Sequence, residues 1–386
     1  MTQHIAFVVN NYPPRVGGVE KHVGALAAHL VRLGHRVTVY TLSDRPGVST
    51  EDGVEVHRLP RLLPVADVIA FPPLGTTRRL MSALRANGVT AVSTHTRFFP
   101  LTWIGGRAAR RAGIPSIHTE HGSDYVRASS RLIEFASRMV DRTLGRSALR
   151  RSTRVLAVSK DAAAFVERLS GVQSTLFYNA IDLDEWRSPR TASAATATAG
   201  EAPTPARAVF VGRLVPGKGW DTFLAACSAL RDEMRERGIQ AHVLGGGPDA
   251  QKCREAVDAY GIGDFTHLHG PVDSARVREM LTGGVLVNAS VLAEGFGITL
   301  LEATAVGAQI VSFPIPAAPV LAQHGAPVRL VDPPTVDGLA RQLANALEHP
   351  LPPVTDDELS AWSWVTRARE YADLVDDVVA RGPNPN

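Results

Sequence analysis

Short apolar, β-rich runs alternate with amphipathic helical patterns twice along this chain, and that alternation limits its fold more than any other feature. In the first half HIAFVVN reads as a buried strand. Val19 to Leu33 reads as a helix, with Val19, Val23, Leu26, Ala27 and Leu30 at helical spacing. Gly34 ends that helix, RVTVYTL is the next strand, and VEVHRLP, TAVSTH, SIHTEHG and RVLAVS follow as short strands. A second series begins with the strand ARAVFVG and a helix from Trp220 to Arg237. It continues with QAHVLGG, a helix from Ala250 to Tyr260, FTHLHG, a helical stretch at Val277 to Leu281, and VRLVDP. Strands alternating with helices imply parallel sheets covered on both faces. RTASAATATAGEAPTPA separates the two series and reads as a linker over residues 188–206, giving domains of 1–187 and 207–361. Two such units place a ligand-binding cleft between their strand C-termini.

Composition sets the remaining limits. A chain of 386 residues suits two domains, each large enough for its own core. Hydrophobic content of 45% with 20% charged residues excludes a disordered or membrane-spanning protein. The opening residues lack the cationic start and apolar length of a secretion signal, and no apolar run nears the ~20 residues of a membrane helix. Cys227 and Cys253 show neither CxxC nor metal spacing, so reduced thiols in a cytoplasmic protein are expected. Residues 1–190 hold 26 Lys+Arg against 15 Asp+Glu, a balance of +11, while residues 191–386 hold 15 against 23, a balance of −8. One half is therefore expected to face something anionic.

The densest cluster of ligand-type residues runs from Val287 to Ser312, a strand, a loop with Glu294-Gly295-Phe296-Gly297, a helix, and a second strand. Leu300, Leu301, Ala303, Thr304 and Val306 are expected to face the sheet. A helix opening at Gly297 presents unpaired N–H groups and about half a positive charge to an anion, phosphate above all. Glu294 and Glu302 flank that anion site, and acids beside a phosphate suit sugar hydroxyls. The loop VGRLVPGKGWD supplies Arg213 and Lys218, a planar fork and a point charge that suit one diphosphate. Only four of 41 basic residues are lysines, which makes a lysine in a glycine-rich loop informative.

Three further loops stand at strand ends. NNYPPRVGGVEKHV places Gly17 and Gly18 before a helix, where backbone approaches a ligand closely. HVLGGGPDA formally matches a dinucleotide fingerprint, but Pro248 and the lack of a well-placed acid favour a tight structural turn. IHTEHGSD offers His118, Glu120, His121 and Asp124. His121 is the best placed to point into the cleft, and zinc shared by His118 and His121 has poor geometry.

Taken in order, these pieces resemble the large retaining glycosyltransferase family 4. They are the GG loop, H-G at 121–122, VSKD at 158–161, YNAIDLDEW at 178–186, VGRLVPGKG at 211–219, GGGP at 245–248 and E-G-F-G-x-x-x-x-E at 294–302. The resemblance implies the GT-B fold, two Rossmann-like doubly wound domains facing a central cleft. It implies that the helix of residues 362–386 crosses back to an acceptor-binding first domain. It implies that Arg213 and Lys218 bind the donor diphosphate, Glu294 the sugar and Glu302 the ribose, with His121 beside the transferred sugar. Gly17, Gly18, Gly212, Gly246, Pro271, Val272, Gly295, Phe296, Gly297 and Ile298 complete the implied donor site. Two departures stand out: LTGGVLVNAS carries glycines where the family has Ala-Asp, and Gln309 replaces a proline.

The expected reaction is front-face transfer of a hexose from a UDP- or GDP-linked sugar with retention, through an oxocarbenium-like state. A double-displacement pair of carboxylates would lie about 5 Å apart, which the Glu294–Glu302 spacing does not supply. No cofactor and no bound metal are expected; Asp182 and Asp184 belong to the YNAID motif rather than to a metal site. Arg127, Arg131, Arg138, Arg142, Arg146 and Arg150 interleave with Leu132, Ile133, Phe135, Met139, Val140 and Leu144, as in a helix lying on an anionic membrane. A lipid-linked or anionic glycan or phospholipid acceptor follows, with peripheral contact at the inner face of the plasma membrane. The alternatives are a nucleotide-sugar hydrolase or epimerase, a non-catalytic sugar-nucleotide-binding protein, and a soluble small-molecule acceptor. The basic half lacks aromatic interleaving, so nucleic acid is not an expected partner.

Overall fold

The computed structural model describes every residue except 16, 66–68, 126–130, 188–205 and 385–386, so the expected linker lies outside the described residues but for Ala206. The chain divides into two units, Met1–Ala180 with Trp364–Asn386, and Ile181–Ser363. The first contains β1 (His4–Val8), β2 (Arg36–Ser43), β3 (Gly47–Glu51), β4 (Val54–Pro60), β5 (Leu62–Val65), β6 (Ile69–Phe71), β7 (Ala91–His95), β8 (Ser116–Glu120), β9 (Arg154–Ala157) and β10 (Thr175–Leu176). Eight of these form one sheet in the order β10-β9-β8-β7-β1-β2-β4-β3. Every ladder is parallel except β3 on β4, an antiparallel edge that the strand–helix alternation does not announce. β5 and β6 make a separate antiparallel pair.

β1, β7 and β8 bury every residue, as strands covered on both faces do, but only β1 is mostly apolar; β7 (AVSTH) and β8 (SIHTE) bury polar side chains that hydrogen-bond one another. One cover is the helix Gly18–Arg32 together with the C-terminal helix Trp364–Arg381. Val23, Leu26 and Leu30 meet Trp364, Ala368, Tyr371 and Val375 there. The Tyr371 hydroxyl donates to Ser93 Oγ at 2.7 Å, which fixes the returning helix to β7. The opposite cover buries Leu80, Leu84, Leu101, Ala108 and Ala109.

The second unit contains β11 (Arg207–Val211), β12 (Gln240–Leu244), β13 (Thr266–Gly270), β14 (Val285–Asn288), β15 (Gln309–Ser312) and β16 (Val328–Leu330). The sheet is wholly parallel, in the order β13-β12-β11-β14-β15-β16, the doubly wound arrangement. Phe223, Leu224, Leu339 and Leu343 fill one of its faces. The helix expected over Trp220–Arg237 is broken: Leu230 leaves helical geometry, and the helices Trp220–Ala229 and Arg231–Glu236 meet there. Residues 181–187 count with this second unit rather than the first. Glu185 accepts from Ser274 Oγ at 2.8 Å, and the Ile181 N–H donates to the Trp362 carbonyl at 2.9 Å. Cys227 and Cys253 are both buried and free, and burial pushes the Cys227 thiol up.

Candidate active site

In the second sheet the strand order reverses between β11 and β14, and a ligand crevice opens beyond the C-terminal ends of strands at such a point. The loops leaving these two strands are tied together. The Val291 N–H donates to the Gly217 carbonyl at 2.9 Å. Gly219 has φ +90°, and a Cβ there would collide with the backbone carbonyl of Ala289. This close approach brings the Lys218 ammonium onto Glu294 Oε1, an ion pair whose side chains are 22% and 17% exposed. Arg213 on the same loop is exposed, and its guanidinium has no carboxylate partner among the described residues. A third loop braces the first: the Gly212 N–H donates to Leu244 O and the Leu214 N–H to Gly246 O, both at 2.9 Å. The GGGP segment is thus a structural turn, with Pro271 packed 2.9 Å from where a Gly246 Cβ would stand and half-buried Val272 following it.

The helix Ile298–Ala305 begins directly after Gly297, which has φ +110° and would bring a Cβ to 2.7 Å from Ile315 Cδ1. No side chain caps the helix, so its first N–H groups face outward with the positive end of the dipole. Gly295 and Ile298 are half-buried, while Phe296 is fully buried and stacks on Trp362 at 6.0 Å. Leu300, Leu301, Ala303 and Thr304 face the sheet as expected. Val306 does not: it caps the helix half-buried, and Ala305 packs inward instead. Glu302 is only 9% exposed, so it is not a solvated surface acid. Arg213, Lys218, Glu294, Gly297 and Glu302 therefore share one unit.

Gly17, Gly18 and His121 belong to the other unit. Gly17 precedes the helix Gly18–Arg32, and the Glu20 carboxylate folds over it. His121 follows β8, with Nε2 3.0 Å from His95 Nδ1 and its ring edge-on to His22 at 4.7 Å. Ring nitrogens of His22, His95 and His121 all lie within 4.8 Å of one another, a spacing compatible with a shared cation. The His95–His121 hydrogen bond already engages two of them. The sequence reading weighed only His118 with His121 and set that pair aside for its poor geometry. His118 turns away, to Thr94 Oγ1 at 3.1 Å and Glu120 Oε2 at 3.4 Å. His22 Nδ1 bonds Asn179 Oδ1 at 2.8 Å, and its buried Nε2 has no hydrogen-bond partner. The missed signal was the ends of neighbouring strands: β7 stops at His95, β8 at Glu120, and the two run in parallel register.

Burial sets the charge state of this group. It lowers His22 to about 4, and it lowers His95 and His121 well below the usual imidazole value, with neighbouring histidines adding to the effect. All three are neutral at physiological pH. Below the unfolded value of 6.5 the unfolded chain takes up protons that the folded chain refuses, so stability is lost as pH falls from there toward about 4. Thermal unfolding followed across that window should show a falling midpoint, with a shallower fall in His22→Phe. Identical slopes in the two proteins would reject this account.

The Arg-rich helix exists, but not as one regular rod. Arg131–Val140 and Arg146–Arg151 are helical, and Asp141–Gly145 between them is a π turn that swings Asp141 inward. Arg138, Arg142, Arg146 and Arg150 are exposed, as are Ile133, Phe135, Met139 and Leu144. Arg127 lies outside the described residues.

Comparison with known proteins fits this geometry. A family profile described as Glycosyltransferase Family 4 matches residues 16–185, and one described as Glycosyl transferases group 1 matches residues 195–361. The GDP-mannose-dependent alpha-(1-6)-phosphatidylinositol monomannoside mannosyltransferase of Mycobacterium tuberculosis is 25% identical over 404 residues, spanning 96% of this chain and 97% of that protein. A phosphatidylinositol N-acetylglucosaminyltransferase component from Arabidopsis thaliana is 27% identical over 322 residues, spanning 80% and 66%. Anabaena HepE in complex with UDP superposes with a TM-score of 0.72 at 15% identity, over 98% of this chain and 100% of that one. With two profiles covering most of its length and a doubly wound sheet in each unit, this chain belongs to glycosyltransferase family 4 and has the GT-B fold.

Proposed function

We propose that this glycosyltransferase moves a hexose from a UDP- or GDP-linked donor to a hydroxyl of a phosphoinositide-type or other anionic, lipid-linked acceptor, with retention of configuration. The observation that carries the reading is the meeting of Lys218 with Glu294 beside the uncapped helix at Gly297. One loop supplies cations for a diphosphate and the other supplies an acid for hydroxyls. Phosphatidylinositol in the names of both relatives supports the acceptor class. The exposed arginines and apolar side chains of residues 133–150 suit a helix that lies on an anionic lipid surface.

In this reading the bond from the anomeric carbon to the β-phosphate oxygen breaks, and its electron pair stays with the diphosphate. Arg213, Lys218 and the helix N-terminus meet the charge that develops there. Glu294 accepts from sugar hydroxyls and Glu302 from the ribose. The acceptor oxygen bonds the anomeric carbon on the face the diphosphate leaves, and its proton passes to the departing phosphate oxygen. No step calls on a metal ion.

The test is turnover of GDP- and UDP-sugars with vesicles containing phosphatidylinositol, followed by NMR of the anomeric linkage in the product. A glycolipid with the donor's configuration is expected. Donor consumption without glycolipid would move the assignment to a hydrolase, an inverted linkage would remove retention, and no turnover of any donor would overturn the proposal.

A further inference from the structure

The first unit holds a second concave surface, between the helix Pro100–Ala112 and the helix Arg146–Arg151, with a cavity of about 270 Å³. Trp103, Arg107 and Arg110 recur at four and three residues and so share one helix face. Leu144, Ser147 and Arg151 stand opposite, and Ser116 lies in the floor. No acidic side chain lines the cavity, and none of the three arginines has a carboxylate partner among the described residues. Arg110 is held below its ordinary range by burial and by the charges of Arg151 and Arg107. Ser116 is a buried residue whose side chain belongs to the lining of the cavity. Gly106 lines the cavity and faces open space, where a Cβ would meet nothing within 4 Å.

We infer that this groove is a binding site for a phosphate group, with Arg107, Arg110 and Arg151 as charge partners and Ser116 as a hydroxyl donor. Arginine forks match phosphate oxygens, and an anion relieves the repulsion of three uncompensated guanidiniums. The volume suits a small headgroup rather than a nucleotide sugar. Two sources share this chemistry, a phospholipid headgroup and a soluble phosphate ester. Exposed Leu144 on the rim, with exposed Met139 and Phe135 on the helical segment before it, offers an apolar path for an acyl chain. The site is separate from the residues proposed for transfer and does not depend on that reading.

The experiment uses the full chain, inorganic phosphate in thermal unfolding at matched ionic strength, and phosphatidylcholine vesicles with and without phosphatidic acid. Three variants accompany the wild type: Gly106→Leu, which fills the groove and removes no charge; Arg110→Gln with Arg151→Gln; and Arg138→Gln with Arg142→Gln, which removes equal charge outside it. Phosphate should raise the unfolding midpoint of the wild type and of the outer-face variant, and of neither groove variant. If the source is lipid, Gly106→Leu should lower partition onto phosphatidic acid vesicles by about tenfold. Loss of the phosphate effect with unchanged partition assigns the site to a soluble phosphate ester. No phosphate effect in the wild type, or an equal effect in Gly106→Leu, overturns the inference.

Discussion

Alanine at position 218 should lower kcat/KM for the donor sugar nucleotide by about 10²–10³-fold, the usual loss on removing one preorganised donor from a developing oxyanion. The melting temperature should barely move. Lys218 sits at a turn fixed by its neighbours: Gly219 is pressed against Ala289, and Gly217 accepts from the Val291 N–H. The ammonium is therefore positioned by backbone, and Glu294 keeps it from wandering. Such a partly exposed ion pair contributes ~1 kcal/mol or less to folding, so its removal is read in rate rather than stability. Because charge on the leaving diphosphate grows only as the glycosidic bond breaks, kcat should carry most of the loss. Steady-state kinetics on the folded variant decide it: wild-type kcat in Lys218→Ala would remove this lysine from the leaving group and favour a non-catalytic sugar-nucleotide-binding protein.

The placement of Lys218, Arg213, Glu294 and Glu302 in one unit was legible because strand periodicity is local. Once ARAVFVG and VLVNAS are strands, the loops that follow them belong to one sheet edge. The contact between those loops was not legible, since Lys218 and Glu294 are separated by 76 residues and meet only because β11 and β14 are neighbours. The histidine group was hidden for the same reason, with members in a helix, at a strand end and just beyond another. The β3–β4 hairpin was readable but missed. Its turn is Asp52-Gly53, both at positive φ, a strong hairpin signal set inside a half that otherwise alternates strand with helix. The departures from the family pattern have structural explanations. Gln309 bridges the backbone of Leu351, accepting from its N–H and donating to its carbonyl at 2.8 Å, and also accepts from Arg329. Gly284 fits where a Cβ would stand 3.0 Å from Arg207 and from the Met280 carbonyl.

Replacing Arg97 with methionine should destabilise the first unit by ~3–5 kcal/mol, the range for breaking a buried ion pair by removing one partner. Arg97 is wholly buried between Glu120 and Asp141, each 3.0 Å away and equally buried, with its guanidinium over the Phe165 ring at 4.3 Å. The sequence shows only an arginine after a strand; the π turn that delivers Asp141 makes it a structural centre. The two acids respond in opposite ways. Burial opposes ionisation of Glu120, but Arg97, His118 and the Gly122 N–H outweigh it and hold the carboxyl at about 2. Asp141 has Arg97 alone, with Oδ1 unpartnered, and burial pushes it up. Glu120 therefore contributes stability above its unfolded value of 4.5 that is lost as pH falls through 4.5 toward about 2. The same carboxylate accepts from the Gly122 N–H at 2.8 Å and so shapes the turn that carries His121. Arg97→Met should consequently disturb the histidine group as well as stability. Arg97→Met combined with Glu120→Gln and Asp141→Asn should recover much of the lost stability, because no unpaired charge stays buried. Chemical denaturation of the three proteins tests both statements. A single variant within about 1 kcal/mol of wild type would mean that water reaches this network, and an equally unstable triple variant would mean that Arg97 acts through packing on Phe165 rather than through charge.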